Sequence, residues 1–145
     1  MENVNCIDMM ENMQHIRLFS SLHVRQIKKV GMISSRELDI MSQFVFSDAA
    51  LTPMDLSELT GQSKSAVSRL IENLDSKGFV TKQYNSKDKR SYTLNITEKG
   101  NKELERTYRY YLEPIYELRR VIGEERFESL ITQIKEANNI FCNRR

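Results

Sequence analysis

The chain has 145 residues, a length that suits one domain with a real core. Its formal net charge is only +2, and no apolar run approaches the roughly 20 residues that cross a membrane. The acidic start of the chain lacks a signal-peptide pattern. Two cysteines are too few for a disulfide framework. These features exclude membrane-spanning and disulfide-rich classes and predict a cytoplasmic protein with reduced thiols.

Two amphipathic helices are predicted before residue 50. The first runs from about Asp8 to Val30, because apolar residues recur at helical spacing. Those residues are Met9, Met13, Ile16, Phe19, Leu22, Ile27 and Val30. The second helix begins at Ser34, which has the capping-box spacing to Glu37. The residues predicted to be buried on it are Leu38, Met41, Val45 and Phe46.

A third helix is predicted to begin at Thr52. Thr52 can cap it, Pro53 suits its first position, and Asp55 lies three residues after the cap. Its predicted buried residues are Leu56 and Leu59. Gly61 should end this helix, because glycine favours the left-handed conformation found at helix ends.

A fourth helix follows at once, with Ser63 or Ser65 as its cap. Its apolar face consists of Val67, Leu70, Ile71 and Leu74. Gly78 is placed to end it. Two helices joined by a short glycine-containing turn form a helix-turn-helix.

Two short strands are predicted after this motif, Phe79–Tyr84 and Tyr92–Ile96. The loop between them, residues 85–91, is polar and basic, so the pair has the pattern of a wing. Residues 60–95 contain seven Lys and Arg against three Asp and Glu, an excess of four positive charges. Concentrated positive charge suits a surface that binds phosphate groups.

The motifs in this region resemble the multiple-antibiotic-resistance regulator (MarR) family of winged-helix transcription factors. The matching pieces are Ser65–Leu74, Lys77–Val80, Asp88–Arg90 and Leu94–Gly100. The resemblance implies a mostly α fold with a small two- to three-stranded β wing. It also implies one MarR-like domain over residues 1–145. Residues 34–100 would form the winged helix-turn-helix, and residues 1–33 and 101–145 would supply dimerisation helices.

The resemblance also identifies candidate DNA-binding residues. They are Ser63, Lys64, Ser65, Ser68, Arg69, Lys87, Lys89 and Arg90. Hydroxyl groups and cations at a helix N-terminus can contact bases and phosphates. The family's pattern places Arg90 in a minor groove, where negative potential is concentrated. In a simpler interpretation, Ser63 and Ser65 only cap the helix and Lys64 is solvated.

The negative charge of Asp88 makes contact with DNA phosphates unfavourable. The resemblance implies that it stabilises the wing by pairing with a nearby cation. Many relatives carry an Arg shortly after the Gly-Phe-Val position, where this chain has Lys82. Lysine keeps the charge but lacks the bidentate guanidinium, so we expect a weaker pairing inside the wing.

The remaining sequence predicts two further helices. Thr97 caps the first, and Pro114 should kink it. Its apolar seam consists of Leu104, Tyr108, Tyr111, Ile115, Leu118 and Ile122. Gly123 separates it from the last helix. The apolar side of that helix consists of Phe127, Leu130, Ile131, Ile134, Ala137 and Phe141.

These terminal helices need a partner for their apolar faces. The family resemblance implies a homodimer, and the alternative is packing on their own winged helix. The resemblance also implies a small aromatic or anionic effector, bound where the dimer helices meet the winged helix, but the sequence does not identify the pocket. Residues suggested for its lining are Met13, Arg17 and Tyr111.

Other chemistry has little support in the sequence. His15 and His23 are too few for a metal site, so no metal or other cofactor is expected. Cys6 and Cys142 lack an adjacent cation or an evident helix N-terminus, which favours ordinary thiols over oxidant sensors. No phosphate loop, metalloprotease motif or nucleophile elbow is present, so an enzyme is not predicted.

The sequence therefore predicts a homodimeric repressor that binds inverted-repeat duplex DNA and is released by a small ligand. Two-fold symmetry would place the half-sites about 34 Å apart. The alternative is a winged-helix module that binds proteins, but such a module needs no cationic wing.

Overall fold

The structure of the chain, a computed structural model, describes residues 5–21 and 33–144. Within these ranges it contains six helices and a two-stranded antiparallel sheet, which confirms the predicted mostly α fold with a small wing. The elements are α1 (Cys6–Phe19), α2 (Ser35–Phe46), α3 (Pro53–Thr60), α4 (Lys64–Ser76), β1 (Val80–Tyr84), β2 (Tyr92–Ile96), α5 (Glu98–Ile122) and α6 (Glu124–Cys142). Contacts group the chain into two compact units, Ile27–Tyr111 and Met1–Gln26 with Leu112–Arg145.

Capping boxes begin both α2 and α3, as the sequence predicts. The Ser34 amide donates to Glu37 Oε2 at 2.7 Å, and the Glu37 amide donates to Ser34 Oγ at 3.2 Å. The Thr52 amide donates to Asp55 Oδ2 at 2.8 Å, and the Asp55 amide donates to Thr52 Oγ1 at 3.1 Å. Gly61 ends α3 with φ of 69°, the left-handed conformation expected there.

The core of the Ile27–Tyr111 unit lies between α2, α3, α4, the sheet and the first part of α5. Its buried apolar residues are Ile33, Leu38, Ile40, Met41, Leu51, Leu56, Val67, Ile71, Leu74, Phe79, Val80, Leu94 and Leu104. Leu70 packs partly against it. The apolar face predicted for α4 is therefore confirmed, and burying it leaves the opposite face of α4 exposed.

Three residues predicted to be buried are exposed instead. Val45 and Phe46 are the last two residues of α2, and Leu59 lies in the last turn of α3. The predicted spacing of apolar residues is present in both helices. In the last turn of α2, however, Phe44 packs partly against the core, whereas the neighbouring Val45 and Phe46 side chains are left exposed. Leu56 is the buried residue of α3, and Leu59 lies one turn beyond it.

The sheet is the wing expected from the sequence. β1 begins at Val80 rather than Phe79, because the Phe79 side chain is buried in the core just before the strand. In the antiparallel register Tyr84 is opposite Tyr92. Leu51 adds a single bridge to Leu94, with hydrogen bonds of 3.2 and 2.7 Å between the two backbones. The wing therefore has two strands and a one-residue contribution from a third segment.

The start of α5 is attached to the end of the helix-turn-helix through Thr97. Its hydroxyl donates to the Gly78 carbonyl at 2.6 Å and accepts from the Gly100 amide at 3.0 Å, which caps α5. The Thr97 amide donates to the Phe79 carbonyl at 3.0 Å. A Cβ atom on Gly100 would lie 2.2 Å from that same carbonyl oxygen, so only glycine fits there.

Lys99 strengthens the same junction. Its ammonium donates to the Lys77 carbonyl at 2.8 Å and lies 5.4 Å from the centre of the Phe79 ring. This is a cation–π arrangement. The Thr-Glu-Lys-Gly sequence thus has a structural explanation: three of its four residues attach α5 to the segment that follows α4.

Two contacts from α2 involve residues far apart in the sequence. The buried Glu37 carboxylate accepts a 2.8 Å hydrogen bond from Lys77 Nζ. Burial pushes the pKa of Glu37 up, but the bonds from Lys77 and Ser34 outweigh burial and hold that pKa below its usual value. Asp39 contacts the Tyr111 hydroxyl.

The second unit contains helices with exposed apolar residues. α5 continues through Pro114 to Ile122, so the proline is accommodated within the helix, and a bend there stays a prediction. Gly123, with φ of 87°, separates α5 from α6 as predicted. Large exposed apolar residues in this unit include Ile7, Met10, Met13 and Ile16 on α1, Val121 on α5, and Ile134, Ile140 and Phe141 on α6.

The first helix begins earlier than predicted. α1 starts at Cys6 rather than Asp8, because Asn5 caps it through its side chain with a 3.0 Å bond from the Ile7 amide. The α-helix ends at Phe19. The predicted continuation to Val30 lies outside the described residues.

Candidate nucleic-acid interface

The N-terminal end of α4 carries the first group of candidate site residues. Ser63 is the cap, because its hydroxyl accepts a 3.2 Å hydrogen bond from the Ala66 amide. The Ser65 hydroxyl lies 3.3 Å from that of Ser63. The structure therefore decides between the two possible caps and leaves Ser65 able to contact a ligand.

All eight candidate DNA-binding residues are exposed. Five lie at the cap or on the exposed face of α4, and three lie in the loop between β1 and β2. Their cations are Lys64, Arg69, Lys87, Lys89 and Arg90. Among the described residues, none of these five cations has an ion-pair partner. Exposed, unpaired cations on a helix and an adjacent loop are the arrangement that phosphate binding requires.

Asp88 organises the loop at the tip of the wing. Its Oδ1 accepts a 3.0 Å hydrogen bond from the Arg90 amide, and its Oδ2 accepts a 3.2 Å bond from the Ser91 hydroxyl. The Asn85 amide donates to the Ser91 carbonyl at 2.8 Å, and the Asn85 side chain accepts from the Lys87 amide at 2.9 Å. These bonds orient the backbone that carries the wing cations.

The cation expected beside Asp88 is not found in the described part of the chain. Asp88 accepts hydrogen bonds from an amide and a hydroxyl instead. The lysine of β1, Lys82, forms its ion pair with a different carboxylate. Lys82 pairs with Glu72 and lies 3.9 Å from Asp75 Oδ2, both on α4. Nothing in the sequence signals this contact, although Lys82 departs from the family pattern.

The other candidate residues are not assembled into a site within the described ranges. His15 Nε2 lies 3.8 Å from Glu11 on the same helix, and His23 is outside those ranges. No cluster of metal-ligating side chains occurs in the part of the chain that the structure describes. Cys6 and Cys142 are both exposed. Cys6 is the first residue of α1, which corrects the expectation that neither cysteine lies at a helix N-terminus.

The three residues suggested to line an effector pocket differ in their exposure. Met13 and Arg17 are exposed on one face of α1, one turn apart. Tyr111 is half-buried and its hydroxyl contacts Asp39.

The described helices include none that is both long enough and apolar enough to pass through a bilayer.

Known proteins similar to this chain include transcriptional regulators, some of them named as MarR family members. A MarR family model matches residues 23–91. The HTH-type transcriptional repressor YetL of Bacillus subtilis (strain 168) is 28% identical over 75 residues, which are 52% of this chain and 45% of YetL. The chain thus aligns with less than half of that relative.

Solved structures show the same fold over most of the chain. A MarR/EmrR family transcriptional regulator from Acinetobacter sp. ADP1 is 25% identical, with a TM-score of 0.69, and the match covers 93% of this chain and 94% of that one. BpsR of Bordetella bronchiseptica has a TM-score of 0.78 at 12% identity, covering 88% and 98% of the two chains. At that identity the likeness to BpsR concerns the fold alone. The family model that matches residues 23–91, the named relative and the shared fold make this chain similar to the MarR family of transcriptional regulators.

Proposed function

We propose that this chain is a homodimeric, sequence-specific repressor that binds duplex DNA at an inverted repeat and is released by a small ligand. The observation that carries the proposal is a set of five exposed cations on α4 and the wing loop, none of which forms an ion pair with the described residues. α4 would enter a major groove with Ser65, Ser68 and Arg69 towards the bases. Arg90 would enter the adjacent minor groove, with Lys87 and Lys89 on the phosphates.

The geometry of α4 supports its role in the major groove. Its N-terminal end carries hydroxyls and cations, and no acidic residue occurs in its first turn. The helix N-terminus has a partial positive charge that favours phosphate. The opposite face, with Val67, Ile71 and Leu74, is completely buried, so the helix is anchored by the core while its other face remains available.

The homodimer is supported by the exposed apolar residues of α1 and α6. Ile7, Ile16 and Phe141 are large apolar side chains left in contact with solvent in the single chain. Such faces are uncommon on a monomer and mark interaction surfaces. A symmetric dimer presents two equal DNA-binding surfaces, which is why an inverted repeat is the expected site.

Release by a ligand is proposed by analogy with BpsR, whose DNA binding is regulated by 6-hydroxynicotinic acid. For this chain we propose only the class of effector, a small aromatic or anionic molecule. It must bind one conformation of the dimer better than the other to change DNA affinity. By linkage, operator DNA must then weaken effector binding by the same factor.

Selection of bound sequences from a random duplex library tests the proposal. We expect the full-length protein to recover an inverted repeat with half-sites about one helical turn apart. A variant with Lys64, Arg69 and Arg90 replaced by Gln is the matched control and should recover no common sequence. Failure of the wild-type protein to select any sequence would favour the alternative, a winged-helix module that binds proteins. Release of the selected DNA by a panel of aromatic acids would then test the effector.

A further inference from the structure

Lys82 connects the wing to α4 through a cluster of charged and aromatic side chains. Its side chain is only 11% exposed, although it belongs to a strand of the wing. The ammonium contacts Glu72 Oε1 and lies 3.9 Å from Asp75 Oδ2. Glu72 and Asp75 are one turn apart on α4, so both carboxylates face β1.

Tyr92 completes the cluster from the second strand. The Lys82 ammonium lies 5.1 Å from the centre of the Tyr92 ring, a cation–π distance. Tyr92 is opposite Tyr84 in the sheet, and their ring centres are 5.5 Å apart. The Lys82 clamp, defined as Lys82, Glu72, Asp75 and Tyr92, therefore joins α4, β1 and β2. The pairing with Glu72 also raises the pKa of Lys82, so its charge persists at neutral pH.

The hydrogen bonds of the wing tip do not fix the tip relative to α4. Those made by Asn85, Asp88 and Ser91 all lie within residues 85–91. They determine the shape of the loop, whereas its position depends on how β1 and β2 are held. Lys82 lies three residues before the loop and provides a charged contact between β1 and α4.

We propose that Lys82 is a positioning residue for DNA recognition, which holds the wing in a fixed place relative to α4 and offsets part of the negative charge of Glu72 and Asp75. The inference rests on the proposed DNA-binding function. Arg90 can reach a groove beside α4 only if the wing keeps its place. Glu72 and Asp75 are exposed on the helix that carries Arg69, and without Lys82 their charges would repel phosphates within a Debye length of about 10 Å.

Three variants separate positioning from general stability. Lys82→Met removes the ammonium and keeps an unbranched apolar side chain. The double variant Lys82→Glu with Glu72→Lys restores an ion pair in which the two charges have changed places, with the anion on β1 and the cation on α4. Lys102→Met is the matched control, because Lys102 also forms an ion pair, at 3.0 Å with Glu98, but on the exposed surface of α5.

The first measurement is amide hydrogen exchange without DNA. We expect Lys82→Met to speed exchange in β1, β2 and residues 85–91, while α2 and α3 keep wild-type protection. The charge exchange should restore most of the protection, and Lys102→Met should leave it unchanged. Wild-type exchange throughout the wing of Lys82→Met would overturn the proposal. So would a charge-exchanged variant that is no better protected than Lys82→Met.

The second measurement is operator binding and hydroxyl-radical footprinting. A partly exposed ion pair with a cation–π contact predicts a loss of about threefold to tenfold in affinity for Lys82→Met. Protection should disappear at the outer positions, where the wing lies, and remain at the positions covered by α4. Equal weakening of both regions would contradict positioning of the wing. Because exchange is measured without DNA, it tests the clamp even if the wild-type protein selects no operator and the proposed function fails.

Discussion

The carboxylate of Glu37 on α2 is bonded to the ammonium of Lys77, which directly follows α4, at 2.8 Å. The Glu37 side chain is only 4% exposed, so the ion pair fixes the distance between two helices of the core. Glu37 also completes the capping box of α2 with Ser34. One side chain therefore determines both where α2 begins and where it lies relative to the end of α4.

Removing Lys77 should destabilise the protein in a pH-dependent way. Lys77→Met leaves a buried carboxylate without its cation, at a cost of about 1–3 kcal/mol at neutral pH. The folded pKa of Glu37 is lowered from its ordinary value of 4.5. The stabilisation is therefore present above pH 4.5 and lost as the pH falls through the lower folded pKa. Urea unfolding at pH 7 and pH 3.5 measures this difference, with Lys102→Met as the exposed control. An equal loss at both pH values would contradict it.

The packing of α5 on Phe79 predicts a large effect at Gly100. In Gly100→Ala the new Cβ would lie 2.2 Å from the Phe79 carbonyl oxygen, which already accepts a bond from Thr97. The first turn of α5 must move, and we expect a loss of about 3 kcal/mol in the free energy of unfolding. Gly61→Ala is the control: it meets no atom within 4 Å and suffers only the strain of positive φ, about 1–2 kcal/mol. Chemical denaturation of both variants compares these costs, and an equal loss would refute the steric argument.

Asp39 should give a pH dependence of opposite sign to that of Glu37. Burial raises its pKa from 3.8 to about 6, against the opposing charge of Arg36. Because the folded pKa is raised, the contribution of Asp39 is most favourable below pH 3.8 and is lost as the pH rises through about 6. Asp39→Asn should therefore become more stable relative to wild type over this range. Allowing for partial exposure, the change is about 1–2 kcal/mol.

Thermal or urea unfolding between pH 4 and pH 8 measures the effect at Asp39. Asp48→Asn, at an exposed position, controls for the change in net charge. A stability difference between Asp39→Asn and wild type that does not vary with pH would exclude the assigned role. Asn at position 39 keeps an oxygen for the Tyr111 hydroxyl, so loss of that contact does not obscure the result.

Arg90 and Lys87 should affect DNA binding differently, although both lie in the wing loop. Arg90→Ala removes the proposed groove contact and should weaken operator binding by roughly 1–3 kcal/mol. Lys87→Ala should weaken binding to all duplexes alike and reduce the salt slope by about one. Salt titrations with the operator and with a scrambled duplex distinguish the two. Unchanged operator affinity for Arg90→Ala would show that the wing does not contact the groove as proposed.

Leu118 and Ile134 allow the fold and the dimer to be tested separately. Leu118 is only 6% exposed in the single chain, whereas Ile134 is 40% exposed. Leu118→Asp would bury a charge and should cost more than about 3 kcal/mol of folding stability. Ile134→Asp places its charge on a face available to a second chain, so we expect it to weaken the dimer at least tenfold, or about 1.4 kcal/mol. Sedimentation equilibrium measures the dimer dissociation constant. An unchanged constant would show that Ile134 does not lie in the dimer interface.

Features that depend on three or four neighbouring residues could be predicted from the sequence. The cap at Thr52 and the turn at Gly61 are examples, because their geometry requires particular side chains at fixed spacing. The exposed position of Arg69 also followed from the period of α4, since its apolar face had to be buried. The resemblance to a winged-helix family came from motifs rather than from periodicity.

Contacts between distant residues could not be predicted in the same way. Glu37 and Lys77 are 40 positions apart, and neither residue type signals its partner. Lys82 belongs to the wing by sequence, but in the folded chain its ammonium pairs with carboxylates of α4. Which residues of a helix's last turn contact the core is also a property of the assembled fold: Phe44 packs partly against the core, whereas Phe46 is exposed.

The distribution of helix caps has a consequence for the order in which the chain folds. Five of the six described helices begin with a side-chain cap, at Asn5, Ser34, Thr52, Ser63 and Thr97, whereas α6 follows Gly123 without one. A local cap lowers the free energy of the first helical turn, and forming that turn is the unfavourable step that starts a helix. α1, α2, α3 and α4, which precede the wing in sequence, can thus nucleate from short-range contacts during synthesis, before the wing hairpin closes. α6 gains no such advantage and must wait for tertiary packing to stabilise it.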